Sequence, residues 1–196
     1  MEKLTSTAVL AISLVALVML TGAALAGPVP DGFEGIPWGA NRDEVTKTMS
    51  ERGYSHVKPE PNEPLQFHGK DVIVPGKLFF YFRYNSFYKV EAYYYDESPQ
   101  PEPARQFFQK LFKAHLDKYF MPKLHDVNSR KDDCYRCQGN TILESARWET
   151  VDAKSDRYTI GISLGEYTGM GRKKGYFVHL TYEADSLLER LKKTGY

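Results

Sequence analysis

The stretch LFFYFRYNSFYKVEAYYY, residues 78–95, decides the fold. Ten of its eighteen residues are aromatic: Phe79, Phe80, Tyr81, Phe82, Tyr84, Phe87, Tyr88, Tyr93, Tyr94 and Tyr95. Aromatic and β-branched side chains favour a pleated, half-buried surface. Asn85-Ser86 interrupts the run near its middle, and Asn tolerates the positive φ that a tight reversal needs. The pattern predicts a β-hairpin, residues 78–84 paired with 87–95. A lone hairpin is not stable in water, so further strands or a helix must cover one of its faces.

Working outward, residues 96–103 (DESPQPEP) carry three prolines, three acids and nothing apolar, which marks an internal boundary. The strongest helical pattern follows, over 103–120. Phe107, Phe108, Leu111, Phe112, Leu116, Tyr119 and Phe120 recur at spacings of one, three and four and make a wide apolar stripe. Pro103 suits the first turn and Pro122 marks the stop. His115 shares the stripe, so a packed or hydrogen-bonded role is expected of it. The stripe should lie against one face of the hairpin, which makes much of the aromatic load core. Successive strand residues point to opposite faces. Tyr81, Tyr93 and Tyr95 fall in one alternation class on the other face, where a ligand or partner could bind. Amphipathic Tyr is enriched at recognition surfaces, and it also stabilises sheets through cross-strand pairs.

Upstream of the hairpin, residues 33–39 (FEGIPWG) are apolar but broken by Gly and Pro. Pro37 excludes a central strand, so a packed lead-in is expected, with Ile36 and Trp38 turned into the core. Asn41 and Glu44 have the spacing of a capping box, Val45 and Met49 share one helical face, and Gly53 stands where a helix ends. This opening, FEGIPWGANRDEVTKTMSERGY, resembles that of small exported bacterial domains that begin with a GIPWG segment and run into a short helix. A similar helix start occurs in the small lipoprotein subunit of the outer-membrane β-barrel assembly machinery and in β-lactamase inhibitor proteins. The resemblance implies helices packed on one face of a short antiparallel sheet, in families that mostly bind other proteins or have no known activity. It implies no catalytic residue. The chain lacks the lipid-anchor Cys of the lipoproteins.

Residues 54–64 carry three prolines and are expected to be loop; 65–74 can supply a strand. In the second half, 123–140 is polar and irregular. Strand-like runs follow at 141–151, 158–165 and 176–182. Tyr158, Ile160, Ile162 and Leu164 share one face, and Phe177 and His179 alternate with Tyr176, Val178, Leu180 and Tyr182. A closing helix over 184–193 carries Leu187, Leu188 and Leu191. The expected fold is α+β: an antiparallel sheet of about six strands with helices on one face. It would form a single domain over 33–196. Its halves, about 33–95 and 103–196, would each run helix and then three strands, joined by 96–102; the repeated order suggests a duplication.

The first 26 residues read differently. Lys3 precedes a stretch free of charge to Ala26, and ALA at 24–26 has the small-x-small form that signal peptidase accepts. A signal peptide cleaved after Ala26 is expected, followed by a tether over 27–32. The alternative is an N-terminal membrane anchor, since the uncharged run is long enough to span a bilayer. The first reading places the protein in a periplasm or outside the cell, without stable membrane insertion after cleavage. Lys and Arg number 26 against 25 Asp and Glu, a net charge of +1. That balance makes no electrostatic case for a nucleic-acid partner.

Cys134-Tyr135-Arg136-Cys137 is the one chemical motif. Asp132 and Asp133 beside it should raise the thiol pKa, opposite to what a redox pair needs. Residue 138 is Gln, which excludes CxxCH haem attachment. Only His125 and His115 lie near enough in sequence to complete a zinc set. A short-loop disulfide between Cys134 and Cys137 is the expected use in an oxidising compartment, with thiol-redox or metal-binding chemistry as the alternative. GMGRKKG at 169–175 lacks the Ser/Thr and following helix of a phosphate loop. No histidine spacing forms a metal motif, and no catalytic residue or cofactor is indicated. The functional expectation is a non-enzymatic exported module that binds an envelope protein or a small ligand, with Tyr81, Tyr93 and Tyr95 as its candidate contacts.

Overall fold

The computed structural model describes residues 28–57, 63–69, 76–96, 98–127, 130–131, 140–168 and 174–194. Two tiny strands, β1 (Gly32–Phe33) and β2 (Ile36–Pro37), come first and pair only with each other. Helix α1 (Arg42–Glu51) precedes β3 (Ser55–Val57), β4 (Leu65–Gly69), β5 (Gly76–Arg83) and β6 (Ser86–Asp96). Helix α2 (Glu102–Tyr119) opens the second half. It is followed by β7 (Leu124–Asp126), β8 (Arg130–Lys131), β9 (Thr141–Val151), β10 (Arg157–Thr168), β11 (Lys174–Glu183) and α3 (Asp185–Lys193). The class is α+β, as the sequence pattern predicts. One antiparallel sheet runs β3-β4-β5-β6-β11-β10-β9-β7, with β8 also on β9. Each half winds inward from its own edge, and their last strands, β6 and β11, pair at the centre from Asp96↔Tyr176 to Lys89↔Glu183.

The sheet has more strands than the six expected. The additions are β3, within the predicted loop 54–64, and β7 and β8, within the predicted irregular stretch 123–140. They are edge strands of two or three residues. They carry no apolar alternation of their own, and the neighbouring strand supplies their ladder. The first 26 residues, Cys134, Cys137 and most of the 169–175 turn lie outside the described residues.

Local chemistry accounts for the elements. Tyr84 and Asn85 both adopt positive φ, 49° and 60°, and close the hairpin. The Asn85 side chain also accepts a hydrogen bond from the Arg42 backbone at 3.2 Å, tying the hairpin turn to the start of α1. Asn41 and Glu44 form the capping box in both directions, and Gly53 takes φ 83° just past the helix end. Trp38 donates to the Pro30 carbonyl at 2.7 Å and lies 4.9 Å from the Phe87 ring, while Ile36 is fully buried.

Helices α1 and α2 cover one face of the sheet. Val45 and Met49 of α1 join Phe67, Leu78, Phe80, Phe87 and Val90 in the core, together with Phe108 of α2 and Trp148, Ile160, Ile162 and Leu164. Phe107 packs on Tyr94 and Phe112 on Trp148, as expected of the α2 stripe. The stripe ends differently from its prediction. Phe120 turns out of the helix at φ 62° and is 55% exposed, and its carbonyl accepts the Trp148 indole N–H at 2.9 Å. His115 takes a buried place on the helix instead. Its Nδ1 lies 2.7 Å from the Leu111 carbonyl, which can only accept, so Nδ1 carries the proton. Nε2 is then the acceptor for the Tyr182 hydroxyl at 2.7 Å. Burial lowers the His115 pKa, which fits this neutral form. Among the described residues no helix is long and apolar enough to cross a membrane.

Candidate functional site on the open face of the sheet

Register places the other half of each strand on the opposite face. From β5 it takes Phe79 and Tyr81, from β6 Lys89, Glu91, Tyr93 and Tyr95, and from β11 Phe177, His179, Thr181 and Glu183. From β10 it takes Thr159, Gly161, Ser163, Gly165 and Tyr167, and from β9 Ser145, Arg147 and Glu149. The three tyrosines singled out by alternation, Tyr81, Tyr93 and Tyr95, therefore share one face, and it is not the face that α1 and α2 cover. Helix α3 stays at the end of the sheet: the Arg157 backbone N–H donates to the Ser186 hydroxyl at 2.8 Å, the Thr159 hydroxyl donates to Asp185 at 2.7 Å, and Arg190 pairs with Asp156.

The upper part of this face is aromatic. Tyr93, Ile142 and Phe177 form a small second core, with Phe79 and Tyr167 against it. Phe177 is only 1% exposed although no core helix lies over it. A glycine makes room for it: a Cβ on Gly165 would stand 2.3 Å from the Phe177 ring. Gly175 repeats the device, since a Cβ there would meet the Tyr167 ring at 2.6 Å. Such ring-over-glycine pairs cover backbone that a glycine leaves bare. Tyr95 stays 45% exposed. Its ring runs parallel to Tyr93 at 5.9 Å and meets Tyr167 edge-on at 5.6 Å, with the Lys77 ammonium 5.9 Å from its centre.

Toward the hairpin, the face is charged. Glu91 accepts from the Tyr81 hydroxyl at 2.6 Å and pairs with Lys89 at 2.8 Å; Lys89 lies 3.9 Å from Glu183. Burial by itself would raise the Glu91 pKa. The Lys89 hydrogen bond and charge, with the Tyr81 hydroxyl, outweigh it and hold the carboxyl below its ordinary range. Glu183 goes the other way, because its burial exceeds what Lys89 returns. Tyr81 is thus engaged within the face, and Tyr95 is the predicted contact most available to a partner.

Between these regions His179 lies flat against Tyr93, ring centres 4.2 Å apart and planes 8° apart. Burial pushes the His179 pKa down to about 4, so the imidazole is neutral near pH 7. Beyond His179, over β10, the surface sinks into a trough of 410 Å³. Gly161 and Ser163 form its floor, His179 and Thr181 one wall, and Ser145 and Arg147 the other. Glu183 and Asp185 close its lower end, where it adjoins a second recess of 290 Å³ beside Leu188 and Lys192 of α3. The sequence reading missed this trough. Its signal was present in β10: the residues between Ile160, Ile162 and Leu164 are Gly161 and Ser163, too small to fill a face.

A different surface is also apolar. Phe120, Met121 and Val127 are exposed where α2 gives way to the β7 edge, whereas the exposed Leu124, paired with Arg147, lines the outer side of the trough. Comparison with protein-family models, with curated proteins and with solved structures gave no match, so the site is read from its own geometry.

Proposed function

We propose that the protein is an exported, non-enzymatic binding module whose open sheet face receives a ligand or an envelope partner. One observation carries this reading. A sheet of alternating residues has one face sealed by α1 and α2, while its other face keeps aromatic rings, paired charges and a concave trough at the surface. Antiparallel sheets can leave one face to solvent, but a solvated face is ordinarily polar. Here Tyr95 is nearly half exposed and lies among Tyr93, Tyr167 and Lys77. Aromatic rings with a polar tip suit such a contact surface. Export rests on the first 26 residues, and protein recovered outside the cytoplasm should begin at Gly27.

The test compares two exposed tyrosines of the same hairpin. Tyr84 sits in the turn and Tyr95 on the open face. The immobilised protein should retain an envelope component from its source cells. Tyr84→Ser should retain it equally and Tyr95→Ser should lose it. Equal retention by both variants removes the open face as the binding surface.

A further inference from the structure

We propose that the trough over β10 binds a short neutral saccharide, one ring face laid against the His179 imidazole and its hydroxyls bonded to the floor and far wall. This rests on the open face being the binding face, and it names the ligand class.

The first support is Gly161. Glycine inside a strand weakens it and often marks close approach of a ligand or another backbone. The neighbouring strand glycines have a packing reason: Phe177 lies over Gly165 and Tyr167 over Gly175. Gly161 has none. A Cβ there would find its nearest neighbour, Thr181, at 3.9 Å, an ordinary contact. Its backbone is not in the left-handed region either. The position is bare without structural need.

The second support is the shape of the wall. His179 and Tyr93 are directly paired on adjacent strands and stack face to face at 4.2 Å, close to the strand spacing of about 4.8 Å. Their rings therefore stand upright, side by side across the sheet. The far face of the imidazole looks over β10 toward Ser163, its cross-strand partner. A flat uncharged ring face suits the C–H face of a sugar. The opposite wall, Ser145 and Arg147 on β9, stands roughly 10 Å away, two strand spacings. The 410 Å³ volume lies within the range of small-ligand sites, roughly 300–1,000 Å³.

The third support is the charge. Arg147 already pairs with Glu149 at 3.4 Å, Glu183 has Lys89 at 3.9 Å, and Asp185 holds the Thr159 hydroxyl. The trough thus offers many hydrogen-bonding groups, with Arg147 already engaged and two acids, Glu183 and Asp185, at its lower end, which favours a neutral ligand rich in hydroxyls over an anion.

The test is a backbone-resolved NMR titration of the protein with cellotriose, maltotriose and chitotriose in turn. At least one should give saturable shifts at Gly161, Ser163, His179 and Thr181. Gly161→Val should fill the trough and weaken that response about tenfold or more, while melting no lower than wild type. Gly161→Ala, which adds one methyl group, should weaken it less and serves if the valine variant folds poorly. No saturable shift with any of the three, or an undiminished response in a folded Gly161 variant, overturns the proposal. Failure of the ligand class alone shows as no saccharide response while Tyr95→Ser still loses the envelope component. Failure of the open-face reading as well shows as no effect in either experiment.

Discussion

The two faces of this sheet are made from the same strands, residue by alternate residue, and differ in what lies over them. On the covered face, large apolar side chains interlock with Val45 and Met49 of α1 and Phe108 of α2. On the open face, packing is local: a ring rests on a glycine, an imidazole rests on a tyrosine, and charges pair in plane. The difference teaches that aromatic content alone does not mark a binding surface. Phe80, Phe87 and Tyr94 belong to the fold, while Tyr95 one position on belongs to the surface.

The comparison breaks most sharply at Phe108. It is fully buried between the helix and the covered face, and Phe108→Ala should cost about 3–5 kcal/mol in urea unfolding. A loss no larger than that of Tyr95→Ser would show that α2 does not organise the core. The next effect lies on the open face itself. Gly165→Ala drives a methyl group into the Phe177 ring and should cost about 1–3 kcal/mol, whereas Gly161→Ala should be neutral or slightly stabilising. Equal effects at the two glycines would contradict the distinction between a filled and an empty position. Tyr182→Phe, on the covered face, removes the hydroxyl that His115 Nε2 accepts and leaves that nitrogen without its donor, at a cost of about 1–3 kcal/mol.

A pH series sharpens the comparison, because each face holds one histidine with a lowered pKa. The unfolded chain takes up a proton at each near pH 6.5, and the folded chain resists it. The contribution is therefore fully present above about pH 6.5 and is lost as pH falls, toward about 4 in the case of His179. The slope is at most about 1.4 kcal/mol per pH unit for each histidine. Unfolding midpoints near pH 7 and near pH 5 measure it, and His179→Gln should flatten part of the decline. Tyr95→Ser has the smallest expected effect on stability, about 0.5 kcal/mol or less, because its ring is half in solvent.

The covered face was legible because periodicity encodes it directly. The α2 stripe, the alternation of Ile160, Ile162 and Leu164, and the Asn41–Glu44 cap each arise from short-range spacing, and each stands where spacing places it. The edge strands β3, β7 and β8 were not legible, since their pairing comes from the neighbour's ladder and not from their own residues. Phe120 was misplaced because one residue at positive φ turns it out of a stripe whose spacing it otherwise satisfies. On the open face, alternation brought Tyr81, Tyr93 and Tyr95 together correctly. It could not show that Tyr81 is held by Glu91, or that Gly165 serves Phe177 while Gly161 serves no side chain. Those depend on register between strands distant in sequence.

The central claim is that the covered face folds the protein and the open face binds. Hydroxyl-radical footprinting of the protein, alone and with envelope extract, tests it most directly. The account predicts protection of Tyr95, with Tyr84, Phe120 and Met121 as reactive as before. Protection of Phe120 and Met121 with Tyr95 unchanged would contradict it and move the binding surface to the β7 edge.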